Sequence, residues 1–113
     1  MDYTERLRRL AINDSGLTDG SVDGAGDEPL VLDPKSLALV RLGALVAVGG
    51  AVASFGAHAD DAVNAGATVD EIVAVLVAVV PIVGLPRVVE VAPRLAIALG
   101  YDLDDVLEPP PLR

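Results

Sequence analysis

The sequence predicts an all-α helical bundle. Apolar residues recur at helical spacing in four core segments, and glycine, proline or a capping residue bounds each one. Apolar residues make up 52% of the chain and aromatics 3%, so the core is aliphatic and Tyr3, Phe55 and Tyr101 are its only rings. Small aliphatic side chains favour close helix–helix approach. A length of 113 residues predicts one domain. That much apolar content on so short a chain points to burial between subunits as well as within one.

The elements follow in order. Asp2–Asn13 reads as an amphipathic helical arm, with Tyr3, Leu7, Leu10 and Ala11 on one face and Glu5, Arg6, Arg8 and Arg9 on the other. Residues 14–29 are rich in Gly, Asp and Ser and read as a flexible acidic linker. Asp19, Asp23 and Asp27 lack the spacing and terminal glutamate of a calcium loop, so a solvated linker is the better reading. A helical domain is expected over 30–103 and an extended, proline-rich tail over 104–113.

Within the domain, Asp33-Pro34 is a helix start, and the first core helix is expected over Lys35–Val48, stopping at Gly49-Gly50 in a left-handed cap. Leu37, Val40, Leu42, Ala44, Leu45 and Val48 cover most of its circumference. The second helix is expected over Ala51–Ala65, with Val52, Phe55, Ala59, Ala62 and Val63 forming one face. Thr68-Val-Asp-Glu71 is a capping box that opens the third, Val69–Val80. Ile72 to Val80 is apolar at every position, which predicts a helix with no free face, central or in a subunit contact. Pro81 should bend or break it. The last helix is expected over Pro86–Leu99, kinked near Val89 by Pro93, with Glu90 placed to pair with Arg87 or Arg94.

Charge and composition exclude several functions. The net charge is −9 and there is no basic stripe, which argues against nucleic-acid binding. Cysteine is absent, so disulfides and thiolate chemistry are excluded. With one histidine, a zinc site within one subunit is not expected, and no cofactor is implied. The N-terminus has no apolar signal region, so a cytoplasmic protein is expected. Leu37–Ala57 is nearly long enough to span a bilayer, but Arg41, Ser54 and four glycines interrupt it, so no membrane span is expected.

Candidate chemistry gathers on Ala51–Gly66. His58 is the only histidine, and histidine is the side chain that titrates near neutral pH unperturbed. Ser54, His58 and Asp61 share a helical stripe, but successive turns do not set a serine oxygen and a carboxylate on opposite nitrogens of one ring, so a hydrolytic triad is disfavoured. The plain alternative for His58 is a histidine hydrogen-bonded to Asp60 or Asp61, and for Ser54 a small packing residue. Arg41, alone in an apolar helix, reads as an ion-paired or snorkelling side chain, or as an anchor for a substrate carboxylate.

A set of matches in order carries a family resemblance. It comprises the Asp-Pro-Lys helix start, the Gly-Gly turn, the helix bearing His58, Ala-Gly-Ala-Thr at 65–68, Asp-Glu-Ile-Val at 70–73 and Gly-Leu-Pro-Arg at 84–87. Over roughly residues 30–100 the chain resembles the carboxymuconolactone decarboxylase family, which includes the alkyl hydroperoxide reductase D-type proteins. The resemblance implies that family's helical bundle and a homotrimer or homohexamer. It also implies a Cys-x-x-Cys-x-x-x-His motif whose cysteine positions are Ala51 and Ser54 here, and a glutamate position near Ala38. Only His58 of that set remains. A disulfide reductase or peroxiredoxin-type antioxidant cycle needs a thiolate, so the family's redox activity is not expected.

The decarboxylase branch does not need that dithiol. It implies a lyase acting on a small carboxylated substrate, with His58 as general acid and Arg41 holding the carboxylate. The competing reading is a non-catalytic member that assembles with itself or binds a ligand. A solvent-open pocket joining His58 and Arg41 would favour the first, and a filled surround the second.

Overall fold

The structure, a computed structural model, describes residues 2–13 and 31–102. The described residues form five α-helices: α1 (Tyr3–Ala11), α2 (Pro34–Val48), α3 (Val52–Asn64), α4 (Val69–Val83) and α5 (Leu85–Ala98). The chain divides into two units, Met1–Leu32 and Asp33–Arg113. The expected linker over 14–29 and tail over 104–113 lie outside the described residues.

In the first unit, Asp2 caps α1 by accepting a hydrogen bond from the Glu5 N–H at 2.8 Å. Glu5 then pairs with Arg9 at 3.1 Å one turn on. The predicted amphipathic character is present, yet α1 buries none of its residues, and Tyr3, Leu7 and Leu10 are exposed.

The second unit is a four-helix bundle. α2 and α5 each pack against both α3 and α4, with lesser contact across the diagonals. Its largest fully buried side chains are Leu42 and Val46 from α2, Phe55 from α3, Ile72 from α4, and Val91 and Leu95 from α5. The bundle is therefore closed by one or two aliphatic residues per helix plus one ring. Gly43 faces α4, where a Cβ would lie 3.5 Å from Val75 and Val79.

The boundaries agree with the sequence to within one to three residues. Asp33 caps α2 through Ser36 N–H, and Thr68 and Glu71 exchange hydrogen bonds as the expected capping box, at 3.1 and 2.9 Å. Glu71 also meets Lys35 Nζ at 3.0 Å, tying the start of α4 to the start of α2. The Thr68 N–H, then Lys35, hold the Glu71 carboxyl below its usual value. The Ser36 N–H does the same for Asp33. A carboxylate lowered on folding contributes stability above its unfolded pKa, and that contribution is lost as pH falls through the folded value. The melting temperature should therefore decline below about pH 5, and Glu71→Gln should flatten part of that decline in thermal melts followed by circular dichroism.

Three expectations are corrected. Pro81 does not end its helix: α4 continues to Val83, just as α5 runs, as expected, through Pro93. Each proline frees the carbonyl four residues earlier. Those carbonyls belong to Val77 and Val89, both on exposed residues, where water can take the place of the lost donor. Second, the α2 face is narrower than predicted, because Ala38, Leu42 and Val46 are buried while Val40 and Val48 are exposed; Val63 of α3 is exposed as well. Third, α4 has a free face in the single chain. Val73, Ala74, Val77, Ala78 and Ile82 are all exposed, with Val77 at 70% and Ile82 at 86%.

Gly49 ends α2 with φ +83° and ψ 156°. This is not the left-handed helical cap the sequence suggested. It is a mirror-extended conformation open essentially to glycine alone. A Cβ at Gly49 would also stand 2.9 Å from an Arg87 Nη. Arg87 can swing away, so backbone strain dominates. Gly49→Ala should cost about 1–3 kcal/mol in urea unfolding.

Candidate functional site

The turn at residues 49–51 sets the site helix against its neighbours. Arg94, on α5, donates through Nη1 to the Gly50 carbonyl at 3.0 Å and through Nη2 to Glu90 Oε1 at 3.4 Å. Arg87 meets the same Glu90 oxygen at 3.7 Å. The predicted Arg87–Glu90–Arg94 group thus forms, and it does something the sequence did not indicate: it clamps the α2–α3 turn. A bond between residues 44 positions apart leaves no local signal.

α3 begins at Ala51, which has no side-chain oxygen, so no side chain caps its first N–H groups. Phe55, Ala59 and Ala62 anchor its inner face. His58 lies beside that face, half-buried, while Ala51, Ser54, Asp60 and Asp61 are exposed. Among the described residues His58 makes no hydrogen bond or ion pair, so neither Asp60 nor Asp61 holds it. Ser54 has no side-chain partner either, and the stripe of Ser54, His58 and Asp61 is not joined into a triad.

Arg41 is exposed on α2 and, among the described residues, makes no ion pair. Of the two plain readings, its exposure fits the snorkelling side chain and not the ion pair. Val48 ends α2 seven residues after Arg41, and His58 comes six residues after Val52 opens α3. At about 1.5 Å per residue, both stand roughly 10 Å from the turn. Packed helices lie about 8–10 Å apart. Arg41 and His58 thus lie a similar number of turns from the connection on helices that pack together, and no bond joins them. Ala38, near the expected glutamate position, is buried in the core. Ala51 and Ser54 present no thiol, so this helix cannot run a thiolate cycle.

A cleft of about 380 Å³ opens elsewhere, between α4 and α5, and none of His58, Ser54 and Arg41 lines it. Among the described residues no three His, Asp or Glu side chains stand together to hold a metal ion, and no helix is long and apolar enough to cross a membrane.

The carboxymuconolactone decarboxylase family model matches residues 22–96, about two thirds of the chain. The chain belongs to the carboxymuconolactone decarboxylase family. Its all-helical bundle agrees with that membership, and it is a cysteine-less member. No curated protein and no solved structure matches the chain.

Proposed function

We propose that this decarboxylase-family chain is a lyase that removes CO2 from a small carboxylated substrate, with His58 as general acid and Arg41 holding a carboxylate. The observation that supports it is His58 itself: half-buried on the helix that matches the family's histidine motif, with a side chain bonded to nothing among the described residues. In the reaction, the bond from the carboxyl carbon to the substrate skeleton breaks and CO2 leaves. The electron pair stays on the skeleton, delocalised into an adjacent carbonyl, and a proton from His58 quenches it. Solvent then returns the proton to His58. Arg41 orients the substrate and screens its charge against a chain of net −9. Incubation with carboxymuconolactone, followed by CO2 release, tests the reading. Absence of turnover removes this lactone as substrate.

A second reading is favoured by a different observation, the exposed aliphatic face of α4. In it the chain is a non-catalytic subunit of a homotrimer or homohexamer that buries Val73, Val77 and Ile82 between copies. Such a face carries no charge to repel another copy of an acidic chain. Sedimentation of the protein, with Val77→Arg as the comparison, tests it: the oligomer should dissociate, and a monomeric parent protein removes the reading.

A further inference from the structure

The cleft between the start of α4 and the end of α5 has the size of a small-molecule site, at about 380 Å³ against a usual range of roughly 300–1,000 Å³. Its walls are aliphatic, from Val73 and Leu76 on one side and Leu95 and Leu99 on the other. Only Asp70 and Tyr101 bring polar groups, and no basic side chain lines it. Asp70 stands in the first turn of α4, where its charge favours the helix dipole, but its carboxylate oxygens are not engaged. Thr68 and Glu71 cap α4 without it, Lys35 pairs with Glu71, and among the described residues Asp70 has no hydrogen bond or ion pair. The site therefore combines an apolar slot with one uncommitted carboxylate and one aromatic ring, on a chain of net charge −9.

That chemistry repels the carboxylated molecules considered for His58 and selects their opposite. We propose that the cleft binds a small aliphatic cation of the primary alkylamine class, with its tail between Leu76 and Leu95 and its ammonium on Asp70 beside Tyr101. The tail gains from leaving water. The head donates a charge-assisted hydrogen bond to Asp70 and gains a cation–π contact from the phenol ring.

The test titrates the full chain with butylamine, hexylamine, hexanol and hexanoate, following the methyl signals of Val73, Leu76 and Leu95 and the Tyr101 ring by NMR. Hexylamine should shift these signals and bind more tightly than butylamine, by about fourfold per added methylene. Asp70→Asn should weaken hexylamine about threefold to fivefold and leave hexanol unchanged. Ala92→Phe, which fills the slot, should abolish both, with a thermal melt confirming that it folds. Added salt should weaken hexylamine and not hexanol in the unaltered protein, which requires no variant. Hexanoate binding as tightly as hexylamine overturns the proposal. So do signals that move with protein concentration and not with hexylamine, an outcome that gives the slot to a second copy.

Discussion

Phe55→Ala is expected to remove most of the protein's folding stability. Phe55 is fully buried and is the only aromatic ring in the core of α2–α5, where Leu42, Val46, Ile72, Val91 and Leu95 supply the other large, fully enclosed side chains. Truncating a buried phenylalanine costs about 3–5 kcal/mol, through lost transfer energy and the cavity left behind. Small domains have total stabilities of about 5–15 kcal/mol, and a bundle closed by so few large residues belongs at the low end. The aliphatic neighbours come from three different helices, so no single side chain can lean in to refill the space. Val63→Ala on the same helix is the control. It is 48% exposed, and its change should stay within about 0.5 kcal/mol. Urea unfolding followed by far-UV circular dichroism measures both. Equal midpoints for the two variants would show that the core is not where the structure puts it.

His58→Ala is expected to lower kcat for the decarboxylation by about a hundredfold to ten-thousandfold, the usual range for loss of a positioned proton donor. The same change should leave the melting temperature nearly untouched, because the ring is half-buried and bonded to no described residue. That separation matters, since a histidine that merely packs would show the reverse pattern. Arg41→Ala should act differently. If it holds the carboxylate equally in ground and transition states, KM rises while kcat changes little. Steady-state assays of CO2 release on the two variants distinguish these outcomes. An unchanged rate in His58→Ala removes the residue from the reaction.

Local features of this chain could be read directly from its residues. The caps at Asp33 and Thr68, the Glu71 return bond, the Gly49 stop and the order of the four core helices are all short-range chemistry, carried by neighbours in sequence. The family resemblance was legible in the same way, as motifs in order. What the sequence did not reveal depends on distant partners. Arg94 reaches Gly50 across the bundle, and nothing near either residue announces it. Periodicity also overstated burial, because Val40, Val48 and Val63 are as apolar as their buried neighbours and only packing tells them apart. Pro81 misled for a related reason. A helix survives a proline when the orphaned carbonyl can reach water, and that depends on exposure rather than on residue type.

The helix that carries His58 has little local support. α3 has no capping side chain at Ala51, a glycine at its middle in Gly56, and Asp60 and Asp61 near the end where helix dipoles favour cations. Its neighbours α2 and α4 are each fastened by a side-chain cap. α3 is consequently held by what it packs on, through Phe55, Ala59 and Ala62, and by the Arg94 clamp on the turn before it. An element of that kind stays closed only as long as its tertiary contacts hold. Motion around His58 is thereby set by contacts in the bundle interior and at the turn, so a change at Arg94 or Phe55 alters the dynamics of a helix whose own surface residues it leaves intact.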